Sequence, residues 1–345
     1  MSKSCCSEEE SCCSTEEPTV NDCIPAVTTE LSWNDYMGAC KVRFGIGRMD
    51  YKVEPGLYKV NNPNRESPVL VSANYKLTFD TLRKNLVSLD CWLLILDTKG
   101  INVWCAAGEG TFGTGELVHR IEQTALAEVV AHRKLILPQL GAPGVSAPEI
   151  SKRTGFSIAY GPVRAADIKA FISAGMKATQ EMRTVLFNFC DRLVLAPMEI
   201  VETAKMVLPG FGVLFIINLF AKRPFGIYDT ALFLGAILAG AFITPVLLPF
   251  IPGRAFSFKG WLLGIIWAAF AFWLFGWYVP GFWLLVTGYS LLLPAVSSFL
   301  AMNFTGASTY TSPSGVLKEM KIALPFIIGF ALAGTVLVLI KSFIG

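Results

Sequence analysis

Histidine is nearly absent from this chain: its 345 residues contain two, His119 and His132. Cys105 has no other Cys or His at zinc-ligand spacing. No set of cysteines fits the run C-x2-C-x2-C-x3-C, so no iron–sulfur cluster is expected in this chain. A hydrolase-type nucleophile would need a paired base, and both histidines fall in one predicted helix well after the main glycine-rich loop. Charge is also scarce, at 16% of residues with a net +3. The basic residues are scattered without interleaved aromatics, which argues against nucleic-acid binding. No GxGxxG opens the first helix, so a dinucleotide site is not expected, and "GEGTFGTGE" lacks the GK[ST] of a phosphate-binding loop. "MSKSCCSEEESCCSTEEPTVNDC" has no apolar core of the kind a signal peptide carries. The soluble part is therefore expected in the cytoplasm, where its thiols would be reduced.

What the chain does have is apolarity, with 53% hydrophobic residues and a mean hydropathy of +0.52. The distribution suggests three parts: an acidic, Cys-rich disordered leader over 1–30, a soluble domain over 31–200 and a membrane domain over 201–345. Five apolar segments, 206–221, 229–251, 260–277, 280–302 and 322–344, approach the length of a transmembrane helix. Trp261, Trp277, Tyr278 and Trp283 sit near their ends, as interfacial aromatics do. If the soluble domain is inside, Arg192, Lys205, Arg254, Lys259, Lys318 and Lys321 flank the spans on that side. Lys222, Arg223 and Lys341 flank them outside, and six against three favours this orientation. The spans are read as free of Asp, Glu, Lys and Arg, so an anchor is expected rather than a pump. Asn303, Thr305, Ser308 and Thr309 in "MNFTGASTYTSPSG" form either a polar patch at the inner end of span four or an ordinary loop.

In the soluble part, short apolar runs at 69–73, 92–97, 135–139, 156–160 and 192–196 read as strands. Helical patterns lie at 78–88, 115–132, 164–174 and 179–189. This alternation predicts an α/β domain with a parallel sheet covered on both faces. Ligands then bind beyond the carboxyl ends of the strands, in the loops "SANYKLT", "DTKGINVWCAAGEGTFGT", "PQLGAPGV", "YGPVRAAD" and "APMEIV". In the second of these, Asn102 is placed to cap a short helix with Cys105 in its first turn. The positive end of the helix dipole would favour the thiolate there. Ala106, Ala107 and Gly108 remove bulk, so something large and flat could approach the backbone. A lone thiolate in that setting suits a soft metal already held by another scaffold. The alternative is a small buried cysteine in a tight turn.

"NVWCAAG" followed by "GTFGT" resembles the cap-helix motif of the HgcA family, the corrinoid proteins of microbial mercury methylation. The resemblance extends through "VEPGLYKV", "SPVLVSANYKLTFDTLR", "LPQLGAPGVSA", "YGPVRAADI" and "MNFTGASTYTSPSG", and so covers about residues 30–345. The corrinoid subunit of the acetyl-CoA pathway's corrinoid iron–sulfur protein is a more distant likeness. It lacks the motif cysteine and the membrane part. The resemblance implies a Rossmann-like corrinoid-binding domain followed by an all-α transmembrane domain of five helices. It implies a cobamide (cobalamin-type corrinoid) bound base-off and Cys-on, with Cys105 as lower axial ligand of cobalt. It further implies corrinoid contacts at Thr78, Asn102, Val103, Trp104, Ala106, Ala107, Gly108, Gly110, Thr111, Gly113, Thr114, Gly141, Gly161, Pro162 and Val163. The implied activity is a corrinoid-dependent methyltransferase of the cytoplasmic membrane that passes a methyl group to Hg(II). Its implied partner is an HgcB-type ferredoxin with two 4Fe–4S clusters. Another acceptor (a thiol, a metalloid or a carbon-pathway intermediate) stays open, as does a non-catalytic corrinoid-binding membrane sensor.

The family pattern continues "CAAGKG", whereas this chain has Glu109. That carboxylate should oppose a thiolate four residues away. Cys5, Cys6, Cys12 and Cys13 form two vicinal pairs in the leader, followed by Cys23 and Cys40. They could bind a soft metal or simply be part of a solvated tail.

Overall fold

The computed structural model describes residues 24–307 and 310–344. Cys5, Cys6, Cys12, Cys13, Cys23, Ser308 and Thr309 therefore lie outside the described residues. The chain divides after residue 184 into two compact units, except that residues 39–48 belong with the second.

The first unit is built on a mixed, mostly parallel sheet. Its strands are β1 (Ala26–Val27), β2 (Gly56–Val60), β3 (Val69–Ala73), β4 (Cys91–Leu96), β5 (Lys134–Leu137) and β6 (Ser157–Tyr160). The order is β1-β2-β4-β3-β5-β6. Strands β4, β3, β5 and β6 run parallel, and β2 is antiparallel to β4. Helices α1 (Trp33–Arg43), α2 (Lys76–Lys84), α3 (Val103–Glu109), α4 (Thr114–Gln123), α5 (Leu126–Val129), α6 (Ala147–Thr154) and α7 (Ile168–Ser173) complete it, α1 ending in the second unit.

Strands β3 and β4 are buried along their whole length, because both faces of the sheet carry helices. Side chains alternate across a strand. Val69, Val71, Trp92, Leu94 and Leu96 join a core shared with α3, α4, α5 and α6. Leu70, Leu93 and Ile95 join one shared with α2 and α7. The chain goes from β3 to β4 on one side, then crosses back to β5 on the other. The order reverses between β3 and β5, and in such sheets that reversal opens a crevice at the carboxyl ends of the strands.

Four of the five strand expectations correspond to β3, β4, β5 and β6 within a residue or two. The fifth is corrected: 192–196 is helix. Asn188 Oδ1 accepts from Asp191 N at 3.0 Å and Asp191 Oδ2 accepts from Asn188 N at 3.0 Å, a capping box that starts a 30-residue helix. A short apolar run cannot by itself distinguish a buried strand from helix. Thus "APMEIV" is mid-helix and no strand-end loop. The stretch 179–189 is mostly not helical, with one turn at Glu181–Arg183. Strand β2 was not expected, because "GLYKV" is half-exposed and lacks a clean alternation.

The second unit contains α8 (Phe189–Asn218), α9 (Ile227–Leu238), α10 (Thr244–Val246), α11 (Phe256–Leu274), α12 (Trp283–Asn303) and α13 (Pro313–Ile344). Among the described residues five helices are long and apolar enough to cross a membrane, one of them running from α9 through a wide turn into α10. Helix α12 is the most enclosed: Gly240 and Gly264 approach its backbone so closely that an added Cβ would lie 2.6 Å from Ser297 O and Pro294 Cα respectively. Small residues let helices pack this tightly.

The expectation of charge-free spans needs one correction. Asp229, at the start of α9, is 2% exposed. Its carboxylate accepts from Tyr289 Oη at 2.7 Å and from Gly226 N at 2.9 Å, with Arg223 Nη2 at 3.7 Å. In the same unit, buried Arg192 donates to the carbonyls of Val246 and Phe187, and buried Lys259 to that of Leu248. Of the expected polar patch, Asn303 is exposed, while Thr305 is buried and donates to Met302 O at 2.8 Å.

Candidate functional site

A cavity of about 350 Å³ lies at the reversal point of the sheet. Its floor is the ends of β3 and β5, with Leu70, Val71, Ser72, Ile136 and Leu137. Its walls come from α2, the start of α3, the turn after β6 and the start of α7. The lining is mainly apolar, with hydroxyls from Ser72, Tyr75, Thr78 and Thr81. A concave, largely apolar space with a few polar groups is the usual form of a small-molecule site.

Helix α3 stands at this cavity because a buried polar clamp fixes the loop that leads into it. Asn74 follows β3 and is 1% exposed; Thr98 follows β4 and is fully buried. Asn74 Oδ1 accepts from Thr98 N at 3.1 Å and Gly100 N at 3.0 Å, and Asn74 Nδ2 donates to Asp97 Oδ1 at 3.0 Å. The Thr98 hydroxyl is within hydrogen-bond reach of Asn74 Oδ1 (2.9 Å) and Ile101 O (2.7 Å). Asp97 N donates to Glu116 Oε1 at 2.8 Å, tying the loop to α4 as well. The loops that follow the neighbouring parallel strands β3 and β4 are thereby joined.

Asn102 then caps α3: its Oδ1 accepts from Cys105 N at 2.9 Å. This places Cys105 in the first turn, as anticipated, and its side chain is exposed rather than packed in a tight turn. Its neighbour Trp104 is 48% exposed and lines the cavity. Ala106 and Ala107 are buried against the sheet core. A Cβ on Gly108 would meet nothing within 4 Å, so the outer surface of α3 is open there. Among the described residues no hydrogen bond joins Cys105 Sγ to a base. His119 is exposed on α4, and His132 bonds Ser67 O at 2.9 Å and Lys134 N at 3.2 Å. No three Asp, Glu, Cys or His side chains among the described residues converge as a metal cluster.

The structure brings seven of the candidate contacts to the cavity: Thr78, Asn102, Val103, Trp104, Gly161, Pro162 and Val163. The others have different surroundings. Gly110 ends α3 with φ of +84°, a left-handed cap that favours glycine. Gly113 starts α4 so close to Gly110 that an added Cβ would lie 2.6 Å from its carbonyl oxygen. An added Cβ on Gly141 would lie 2.5 Å from the ring of the fully buried Phe112. Thr111 Oγ1 reaches Ala106 O at 3.4 Å, and Thr114 Oγ1 accepts from Ser146 N at 2.8 Å. These residues knit α3, α4 and the turn at 139–144 together.

Sequence reasoning placed Ser72, Asn74, Tyr75, Thr98 and Leu140 in strand-end loops without singling them out, and missed Thr81 on the cavity wall. The signal for the clamp was a polar residue directly after each of two adjacent apolar strands. Beside the wall, Lys76 bonds Asp35 and Asp80, and Arg83 bonds the same two carboxylates. Burial works to raise the Asp35 carboxyl, but the hydrogen bonds from Lys76 and Ser32 prevail and hold it well below the usual carboxylate range. Burial likewise works to lower the Lys76 ammonium, yet its bonds to Asp35 and Asp80 raise it. On the sheet, burial pushes the Cys91 thiol up to about 12, with Asp90 adding to the effect, so this thiol stays protonated.

Comparison with known proteins covers this unit. The family model for the CO dehydrogenase/acetyl-CoA synthase delta subunit matches residues 38–172. The gamma subunit of the acetyl-CoA decarbonylase/synthase complex of Methanopyrus kandleri is 36% identical over 128 residues, 36% of this chain and 27% of the relative. The same subunit of Archaeoglobus fulgidus is 34% identical over 141 residues, 39% of this chain and 30% of the relative. That of Methanocaldococcus jannaschii is 34% identical over 127 residues, 36% of this chain and 26% of the relative. This chain thus spans under a third of the length of these relatives, and the stretch that the family model matches contains Cys105 and the cavity lining.

Proposed function

We propose that the first unit is a Rossmann-like domain that carries a corrinoid, and that the chain is a membrane-anchored methyl carrier delivering methyl groups to Hg(II). The observation that carries the reading is Cys105: an exposed thiol in the first turn of a capped helix, next in sequence to Trp104, which lines the switch-point cavity. The corrinoid, when bound, supplies a cobalt ion that accepts and releases a methyl group. Cys105 would hold that cobalt through sulfur, a soft donor suited to it. Asn102 fixes the turn that presents the thiol, and Ala106, Ala107 and Gly108 leave room for a flat macrocycle. The apolar wall at Val103, Trp104, Pro162 and Val163 excludes water from one flank. The residues fit the group in these respects. A ferredoxin with two 4Fe–4S clusters would supply electrons. The five long helices would hold the chain in the cytoplasmic membrane with the sheet unit inside.

The relatives' names favour a second reading, a methyl carrier for a carbon-pathway intermediate within a multi-subunit complex. One experiment separates the two. Purified chain is loaded with corrinoid, methylated, and offered Hg(II) or a carbon-pathway acceptor under strict exclusion of oxygen. Methylmercury from the parent, with at least about a hundredfold less from Cys105→Ala, supports the proposal. Methyl loss only to the carbon acceptor supports the second reading. Identical cobalt spectra and activity in parent and Cys105→Ala sink the axial-ligand assignment.

A further inference from the structure

One buried acceptor in the sheet unit has no donor. Gln139 Oε1 is closed off from solvent and has no hydrogen-bond partner. It is the one buried side-chain nitrogen or oxygen so placed among the described residues of that unit. Its surroundings leave it no way to find a partner by relaxing. Gln139 opens the turn at 139–144, and that turn is pinned at several points. Gly141 N donates to Pro138 O at 2.9 Å, and Gly161 N donates to Leu137 O at 2.7 Å, so these neighbouring backbone donors are already engaged. An added Cβ on Gly141 would strike the Phe112 ring, and one on Gly144 would lie 3.1 Å from Ala107 Cα. The turn is therefore wedged against α3 and cannot swing its first side chain out to water.

A buried acceptor without a donor has lost its hydration and gained nothing in return. An apolar side chain of the same shape would be more stable there. Folded proteins keep few such groups, and each one calls for a reason. The position of Gln139 supplies one. Its neighbours in sequence, Pro138 and Leu140, both line the cavity. The turn it opens packs on α3, the helix that carries Cys105. A ligand held between that cavity and α3 would reach the turn. The missing partner must be a donor, because a carboxamide oxygen only accepts. The corrin ring carries carboxamide side chains around its rim, and each offers two N–H groups.

We propose that Gln139 is a corrinoid-binding residue whose side-chain oxygen accepts an N–H from a carboxamide on the corrin rim. The assignment rests on the corrinoid reading above. It makes stability and affinity move in opposite directions, which a purely structural role would not do. The test uses the full chain in detergent, with aquacobalamin and aquacobinamide as probes. Binding is followed by cobalt absorbance and tryptophan quenching, and the corrinoid-free chain is melted separately. Gln139→Met keeps the length of the side chain and removes the acceptor. It should raise the melting temperature of the corrinoid-free sheet unit by about 2–4 °C and weaken both probes about five- to tenfold. Gln139→Glu keeps an acceptor but buries a carboxyl group. It should lower the melting temperature and hold affinity within about threefold of the parent. A Met variant that melts below the parent would show that the oxygen is already satisfied, and would overturn the assignment. So would unchanged affinity in that variant, or equal loss in the Met and Glu variants. A loss confined to aquacobalamin would place the donor on the nucleotide tail, which cobinamide lacks, and would overturn the rim assignment. A parent that takes up neither probe would overturn the corrinoid reading and this assignment with it.

Discussion

The two units dispose of their apolar side chains in opposite ways. In the sheet unit the apolar side chains of β3 and β4 are wholly enclosed, and the hydrophobic effect holds helices to both faces. In the helical unit Phe220, Leu332 and Phe326 face outward, while Ser297, Tyr289 and Asp229 are inside. In the membrane setting proposed above, apolar surfaces would have no reason to leave lipid, and association would depend on close packing and on polar groups that satisfy one another. The hydrogen bonds from Ser297 Oγ to Ala236 O and from Tyr289 Oη to Asp229 belong to this second kind of cohesion. So do the close approaches at Gly240 and Gly264.

The contrast breaks most sharply at Gly264. Leucine there would drive atoms into the Pro294 backbone, which cannot yield as a flexible side chain does. Overpacking costs about 1–3 kcal/mol even where the surroundings can adjust. Gly264→Leu is expected to lose the compact helical unit, seen as protease sensitivity of α11 and α12 in detergent. The melting of the sheet unit should stay unchanged. Gly329→Leu, whose added atoms meet nothing within 4 Å, should leave both units intact. One shared transition that falls in Gly264→Leu would show that the units do not fold independently.

A smaller effect of the opposite kind is expected in the sheet unit. Asn74→Asp keeps the shape and the acceptor of the clamp but puts a carboxylate against Asp97 where an N–H now donates. The loss should be about 1–3 kcal/mol at neutral pH. Its pH dependence has a definite sign. The introduced carboxyl sits beside another carboxylate, so its pKa in the folded chain rises above the unfolded value of about 4. Stability of the variant is then fully present below that value and is lost as pH rises through the raised folded one. Melting curves of parent and variant across the acid range should converge at low pH and separate toward neutrality. A difference independent of pH would remove Asn74 from the clamp. Faster alkylation of Cys105 in the variant would show that the clamp positions α3.

How much of this was readable in the sequence depends on how local the signal was. Strand β3 and the helix start at Asn102 rest on contiguous residues and were legible as such. The cavity contacts at Thr78 and at Gly161, Pro162 and Val163 came from the family resemblance, since spacing alone does not bring 78, 102 and 161 together. The 192–196 run misled because a buried strand and a capped helix look alike over the four apolar residues that follow Arg192. Asp229 lay at the very edge of an apolar segment, and only its partner 60 residues away, Tyr289, shows it to be enclosed. The clamp at Asn74 and Thr98 needs a parallel pairing of β3 with β4, a long-range fact that no window contains.

The smallest expected effect is at Glu109, where sequence reasoning anticipated a carboxylate acting against Cys105. The structure makes Glu109 the last residue of α3, exposed, four positions after the cysteine. The rise along the helix between them is about 6 Å, and water screens side chains on that surface. At the carboxyl end of a helix a negative charge opposes the macrodipole and a positive one complements it. Glu109→Lys should therefore raise the melting temperature of the sheet unit slightly, and about 1 M salt should erase the gain, because an exposed pair of charges is screened at that strength. The alkylation rate of Cys105 should change by less than about threefold, since the added charge acts from the far end of the helix through solvent. A tenfold change that survives high salt would mean that Glu109 reaches the thiol by a route other than the field across α3. The departure from the family's lysine would then be part of the thiol's chemistry and not a feature of the helix end.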